Sequence, residues 1–199
     1  MQSLNELLEY RIILASKSPR RLSLLEQMGF KVEVEKLDVE EDYPLETYYS
    51  AIPEFLADKK AKAFDIAKLG EKDILLTADT MVFLNKQIVD KPKDRVEAMI
   101  LLKNLSNQTH KVITGCTLKT KSKSISFSAK TEVSFKALTD EEITYYIDNY
   151  KPYDKAGSYG IQEWIGLIGV EKIKGCYYNV MGLPTQEIFR QINHIINSK

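Results

Sequence analysis

A short basic segment follows the first apolar run of the chain. It reads SKSPRR at 16–21 and so combines two hydroxyls, a lysine and two arginines. In a strand-to-helix turn, backbone N–H groups and the positive end of the helix dipole favour a bound anion. Arginine can also bind phosphate oxygens through two parallel hydrogen bonds. Because adjacent cations at a helix N-terminus oppose the dipole, a phosphate-binding role is favoured over an ordinary capped helix with a solvated first turn.

An acidic residue interrupts the strongest strand pattern of the chain. Asp79 lies within the apolar run Ile74–Phe83, and a lone buried carboxylate is costly unless it is paired or binds a metal. As a functional group it would bind a metal ion or act as a general base that activates water. As a structural group it would accept hydrogen bonds from loop amides. The residues alone leave these alternatives open.

Three further groups could take part in the same chemistry, and the first two have a commoner structural role. Asp38, Glu40 and Glu41 could bind magnesium through carboxylate oxygens, although each is more often part of a solvated charged loop. Lys91 could reach a phosphate, but a surface lysine before a helix is the commoner case. Gln162 ends a glycine-containing loop, and its amide could recognise a base edge because it both donates and accepts hydrogen bonds.

Alternating strands and helices must position these groups. Short apolar runs alternate with amphipathic stretches early in the chain, and strands cluster in its middle. This order predicts an α/β fold with a mixed, twisted sheet and flanking helices, arranged as two lobes around a central cleft. One domain over residues 1–199 is predicted. The predicted strands are 12–15, 31–35, 74–83, 110–119, 124–135 and 165–174, and the predicted helices are 19–28, 54–68, 95–105, 140–147 and the residues after 184.

Composition limits the classes of partner. Lys plus Arg equals Asp plus Glu at 28 each, so no net field attracts the chain to nucleic acid or membranes. Cys116 and Cys176 form no zinc-binding pattern with the two histidines, and buried or half-buried reduced thiols are expected. No apolar run approaches the roughly 18 residues of a membrane span. Because the first residues also lack the order of a signal peptide, a cytoplasmic location is expected.

Considered jointly, the segments resemble the Maf family of nucleotide pyrophosphatases over almost the whole chain, from Ile12 to about Pro184. They follow the order expected of that family. The matching segments are SKSPRR at 16–21, LA and KA at 56–57 and 60–61, ADT at 78–80, KP at 91–92, HKVITG at 110–115, KAGSYGIQ at 155–162 and NVMGLP at 179–184.

The resemblance implies a fold related in plan to the inosine triphosphate pyrophosphatases and hydrolysis between the α and β phosphates. It also implies a divalent metal, usually magnesium with manganese as the alternative, and a homodimer. By motif position, Asp79 would accept a proton from water and contact the metal together with Glu41. The remaining implied roles are phosphate binding by Ser16, Arg21, Lys60 and Lys91, and substrate choice by Arg20, Thr80 and Gln162.

The loop that ends at Gln162 resembles the subgroup that prefers dTTP and UTP. A glutamine amide can pair with the O4 and N3–H edge that thymine and uracil share. The chain departs from the family at Asn107, where glycine is common, and after Gln162, where Glu163-Trp164-Ile165 replaces a stretch with a second glycine. Trp164 beside the base pocket would change which base fits.

Two other classes of function remain to be compared with this one. A nucleotide-binding regulator without catalysis is the alternative, since Maf proteins are also linked to inhibition of septum formation. Such a regulator would not need the base Asp79. A nucleic-acid-binding module would need a basic groove with aromatic platforms, whereas the tyrosines here are scattered or paired and the net charge is zero.

Overall fold

The computed structural model describes residues 4–197 of the 199-residue chain. Within this range, strands pair into one seven-stranded sheet in the order β2-β1-β3-β5-β6-β7, with β4 paired to β3. The strands are β1 (Arg11–Ala15), β2 (Lys31–Glu35), β3 (Asp73–Leu84), β4 (Gln87–Val89), β5 (Thr109–Lys119), β6 (Ser124–Phe135) and β7 (Val170–Lys174). β1 runs parallel to β2 and β3, whereas β4 is antiparallel to β3 and β7 to β6. The predicted α/β class with a mixed sheet is confirmed.

Helices alternate with these strands, and short 3₁₀ turns cover Ile66–Lys68 and Ala156–Ser158. Two of the helices begin with capping residues. Asp94 accepts a hydrogen bond from the N–H of Glu97, and Thr139 and Glu142 form a full capping box. The helices are α1 (Leu4–Leu8), α2 (Pro19–Gln27), α3 (Ile52–Ala63), α4 (Arg95–Leu105), α5 (Asp140–Tyr150), α6 (Trp164–Gly169), α7 (Tyr177–Met181) and α8 (Thr185–Asn197).

The structure corrects the predicted strand over 165–174. Only Val170–Lys174 is a strand, and the preceding WIGLIG segment is the helix α6. A short apolar run cannot be assigned to strand or helix by periodicity alone. Within α6, Gly166 is closely packed, because a Cβ there would lie 1.9 Å from the carbonyl oxygen of Ile161.

Other boundaries also differ from the prediction. The helix predicted over 54–68 begins at Ile52 and ends at Ala63, because Phe64 is extended and Asp65 then caps a separate 3₁₀ turn. α5 continues to Tyr150, beyond its predicted end, and the short helices α1 and α7 were not predicted.

The described chain separates into two compact units. Unit 1 comprises the residues up to Asp79, Thr114–Ala129 and the residues from Gly182, and unit 2 comprises Thr80–Ile113 and Lys130–Met181. Each unit contains an apolar cluster of its own, with Leu75 and Phe64 in unit 1 and Leu102 and Tyr146 in unit 2. The single-domain interpretation of residues 1–199 and the central cleft stay predictions.

The two cysteines are free thiols. Cys116 is buried and Cys176 half-buried, as expected from the sequence. Burial raises the pKa of the Cys116 thiol to about 12, so this side chain stays protonated at neutral pH. Among residues 4–197, none of the helices combines the length and the apolar character needed to cross a bilayer.

Candidate functional site

Arg21 connects the first turn of α2 to two other segments of unit 1. Its Nε donates to the carbonyl of Gly182 at 2.9 Å, and its Nη1 donates to the carbonyl of Ala78 at 2.8 Å and to Ser16 Oγ at 3.2 Å. Burial lowers the pKa of the Arg21 guanidinium, while the nearby carboxylate of Asp79 opposes that shift. Arg21 therefore supports the turn, and its predicted contact with phosphate stays a prediction.

Ser16 stabilises the turn between β1 and α2. Ser16 Oγ accepts hydrogen bonds from the backbone N–H of Ser18 at 3.2 Å and from Arg21. Ser18 occupies the N-cap position, but its hydroxyl makes no capping hydrogen bond, and Pro19 follows in the first turn. The Ser18 side chain therefore does not occupy the helix N-terminus, where an anion would bind. Arg20 lies half-buried in the same first turn.

Lys60 brings together two carboxylates in unit 1, which we call the Asp79 cluster (Glu41, Lys60 and Asp79). Lys60 Nζ lies 2.7 Å from Asp79 Oδ1 and 2.7 Å from Glu41 Oε1. Asp79 is only 8% exposed, so the ammonium of Lys60 compensates a carboxylate that would otherwise be costly to bury. Asp79 is therefore compensated by an ion pair at Oδ1 and not by loop amides.

The fold positions this cluster through a contact between α3 and β3. Thr77 Oγ1 donates to the carbonyl of Ala57 at 2.7 Å, and both residues are fully buried. Lys60 lies about one helical turn after Ala57, and Asp79 lies two residues after Thr77 on the same strand face. The buried hydrogen bond thus sets the register in which the ammonium meets the carboxylate.

One oxygen of Asp79 is not used by the protein. Oδ1 pairs with Lys60, whereas Oδ2 makes no hydrogen bond to any other residue of 4–197. A carboxylate held through one oxygen can accept a proton through the other. This is the geometry that a general base requires.

The donor set also fits a divalent cation. Asp79 and Glu41 contact the same ammonium, so both carboxylates can reach one shared cation. Magnesium is commonly bound by one or two carboxylates together with substrate phosphates and water. No set of three or more His, Cys, Asp or Glu side chains suited to a metal occurs within residues 4–197. The predicted metal contact of Glu41 and Asp79 stays a prediction, and these two carboxylates could hold a cation whose other ligands come from outside the protein.

The other members of the acidic segment do not join the cluster. Asp38 is exposed, and its nearest ionic partner is Lys17 at 3.9 Å. Glu40 is exposed as well. Of the three acids named from the sequence, Glu41 alone contacts Lys60.

The remaining predicted residues belong to unit 2. Thr80 directly follows Asp79 in β3 and is half-buried. Lys91 is exposed, and its ammonium forms no ion pair within the described chain. Gln162 is also exposed, and its amide makes no hydrogen bond to residues 4–197. Both side chains are available to a ligand.

The loop before Gln162 is fixed by a buried pair of rings. His110 Nε2 and the hydroxyl of Tyr159 are 2.7 Å apart, and both rings pack edge-on against Phe135. Burial lowers the pKa of His110 to about 4. His110 is thus a neutral structural residue near the start of β5, as its position in the sequence indicates.

Sequence reasoning did not identify a second set of groups around this loop, which we call the Glu163 network (Tyr146, Lys155, Gly160 and Glu163). The hydroxyl of Tyr146 donates to Glu163 Oε2 and accepts from the N–H of Gly160 at 2.9 Å. Lys155 Nζ lies 3.2 Å from Glu163 Oε1. The available signal was the departure from the family pattern directly after Gln162.

Comparison with known proteins gives concordant results. A family model described as Maf-like protein matches residues 11–195. A dTTP/UTP pyrophosphatase of Parabacteroides distasonis is 47% identical over 192 residues, which cover 96% of this chain and 99% of that protein. The protein of the same name from Phocaeicola vulgatus is 49% identical over 193 residues, with 96% and 100% coverage. That of Flavobacterium psychrophilum is 48% identical over 185 residues, with 92% and 94% coverage.

Proposed function

The chain belongs to the Maf-like protein family, and on that premise we propose that it hydrolyses dTTP and UTP to the nucleoside monophosphate and pyrophosphate. Near-full-length similarity to relatives named dTTP/UTP pyrophosphatase supports this substrate. The observation that carries the proposal is the state of Asp79, which is buried, paired to Lys60 through Oδ1 and unbonded at Oδ2 within the described chain.

In this mechanism, Asp79 Oδ2 accepts a proton from the water that attacks the α phosphorus. Lys60 orients the carboxylate through Oδ1, at 2.7 Å. A bound magnesium, or manganese, contacted by Glu41 and Asp79 would neutralise charge on the triphosphate. Arg20 and Lys91 supply further positive charge for the phosphates, and Arg21 and Ser16 keep the turn that carries Arg20 in place.

Substrate choice belongs to unit 2 in this proposal. The exposed amide of Gln162 donates to O4 and accepts from N3–H of thymine or uracil. Cytosine presents an amino group and an unprotonated N3 at these positions, so the same amide orientation would leave two groups unpaired. An unpaired polar group costs enough to discriminate between closely related substrates. Thr80 would contribute to the same choice.

Pyrophosphate release from a panel of nucleoside triphosphates with magnesium tests the proposal. Wild type is expected to act chiefly on dTTP and UTP, and Asp79→Asn is expected to fold but to lose about 10²–10⁴-fold in rate. Asp73→Asn is the matched control, because Asp73 is also buried in β3 and ion-paired, in its case to Arg11 at 2.8 Å. We expect that control to retain its turnover.

Three outcomes would contradict parts of this proposal. Near wild-type turnover in Asp79→Asn would remove Asp79 from the chemistry. Equal losses in Asp79→Asn and Asp73→Asn would indicate a general loss of structure. Bound nucleotide without any pyrophosphate release in wild type would favour the non-catalytic regulator of septum formation.

A homodimeric state and a cytoplasmic location complete the proposal. The homodimer rests on the family resemblance, and the location rests on the reduced thiols expected from the sequence. Light scattering at several protein concentrations tests the dimer, and a constant mass equal to that of one chain would contradict it.

A further inference from the structure

We infer that Glu163 is a positioning residue for base recognition, because its carboxylate fixes the backbone that carries Gln162. The inference rests on the proposed function and concerns the selection of the base, not the hydrolysis. It depends on the contacts of Glu163, on the close packing of two glycines beside Gln162, and on the position of Glu163 at a helix start.

The first argument is the hydrogen bonding of the Glu163 network. The Tyr146 hydroxyl acts as both donor and acceptor: it donates a hydrogen bond to Glu163 and accepts one from the N–H of Gly160. Tyr146 is fully buried, and burial together with the Glu163 carboxylate raises its pKa, so the phenol keeps its proton. Lys155, whose side chain is 10% exposed, lies 3.2 Å from Glu163 Oε1 and also pairs with Asp154 at 2.7 Å, so its charge is shared between the two carboxylates. The network is therefore satisfied and joins the residues on both sides of Gln162.

The second argument is the packing on either side of Gln162. A Cβ at Gly160 would lie 2.7 Å from the carboxyl carbon of Glu163, so the carboxylate packs directly against a bare Cα. The N–H of Glu163 donates to the carbonyl of Gly160 at 3.0 Å. On the other side, α6 packs through Gly166 against the carbonyl of Ile161. These contacts restrict the backbone of residues 160–163 and hence the direction of the Gln162 side chain.

The third argument is the position of Glu163 at the N-cap of α6. Its side chain makes no capping hydrogen bond there, and glutamate is not among the residues that favour this position. A serine or aspartate would stabilise the helix start better. The carboxylate contacts Tyr146 and Lys155 instead, so it holds the loop rather than the helix start.

The test is steady-state pyrophosphate release from dTTP, UTP, dCTP and CTP by wild type, Glu163→Ala, Glu163→Gln and Tyr146→Phe. In Glu163→Ala, the ratio of kcat/KM for dTTP to that for dCTP is expected to fall about tenfold, chiefly through KM for dTTP, with kcat within about twofold. In Glu163→Gln this ratio should fall less, because the amide oxygen of glutamine can still accept a hydrogen bond from Tyr146. Tyr146→Phe should resemble Glu163→Ala.

Glu142→Gln is the matched control. Glu142 also belongs to unit 2, pairs with a lysine, Lys136 at 2.6 Å, and has a side chain 25% exposed against 20% for Glu163. It caps α5 and does not contact the loop, so its loss should lower Tm without changing the dTTP-to-dCTP ratio. An equal change of that ratio in the control would overturn the inference.

An unchanged ratio in folded Glu163→Ala would overturn it as well. If that variant does not fold, Tyr146→Phe decides, since it removes only a hydroxyl, and an unchanged ratio there is a refutation. Absence of pyrophosphate release by wild type is a different result, because it contradicts the proposed function itself.

Discussion

The Asp79 cluster of unit 1 and the Glu163 network of unit 2 both contain a carboxylate paired with a lysine, but the two carboxylates use their oxygens differently. Each compensates a carboxylate with a lysine, yet Asp79 uses one oxygen, whereas both oxygens of Glu163 are occupied. A carboxylate with an unused oxygen can accept a proton from a bound water, whereas contacts at both oxygens favour a fixed orientation of the group. The difference separates a group suited to chemistry from a group suited to positioning.

The largest expected effect on stability comes from removing the shared cation of the Asp79 cluster. Lys60→Met leaves Glu41 and Asp79 without their common partner, and both Lys60 and Asp79 have side chains at most 15% exposed. Loss of one member of a buried pair costs about 3–5 kcal/mol. Urea unfolding should show a loss approaching this range, and adding Asp79→Asn should recover part of it. Equal stability of Lys60→Met and wild type would show that the ion pair of Lys60 with Asp79 does not stabilise the fold.

The next effect concerns the packing beside Gln162. Gly166→Ala places a Cβ 1.9 Å from a backbone oxygen, and overpacking of this kind typically costs about 1–3 kcal/mol. Gly169→Ala in the same helix is the control, since its Cβ would meet only side chains, the nearest at 3.1 Å. Thermal unfolding should therefore show a lower Tm for the first variant than for the second. Equal Tm values for the two variants would contradict this expectation.

The third effect is a pH dependence that arises in unit 2. Burial lowers the pKa of His110 from 6.5 to about 4, so between these values the unfolded chain binds a proton that the folded chain does not. The contribution of His110 is present in full above pH 6.5 and is lost as the pH falls toward 4.

The slope from this one group is at most about 1.4 kcal/mol per pH unit. Urea unfolding of wild type and His110→Gln should give curves that converge as the pH falls through this window. Other acids titrate in both proteins, so the difference between the curves isolates His110. Parallel curves would mean that His110 is protonated equally in the folded and unfolded chains.

The parts of this protein that sequence reasoning predicted are those with a local signal. β1 and β3 follow from strongly apolar runs, and α4 and α5 begin at the predicted residues, Arg95 and Asp140. The short helix α6 was wrongly predicted as a strand, because a short apolar run does not distinguish a strand from a helix by its periodicity.

The candidate site likewise contains residues that the sequence identified and partners that only the fold brings to them. Asp79 was singled out because a carboxylate within an apolar strand must be compensated. Its partner Lys60 was placed by resemblance alone, since only the fold brings residues 60 and 79 together. Glu163 was noticed as a departure from the family, but its partner Tyr146 lies 17 residues away and on another helix.

The most direct test of the account is kcat/KM for dTTP and dCTP in Asp79→Asn and Gln162→Ala. The account predicts that Asp79→Asn lowers both values by the same factor, about 10²–10⁴. Gln162→Ala should lower the value for dTTP about tenfold and change that for dCTP by less than about twofold. A loss confined to one base in Asp79→Asn, or an equal loss for both bases in Gln162→Ala, would contradict the division between chemistry and base selection.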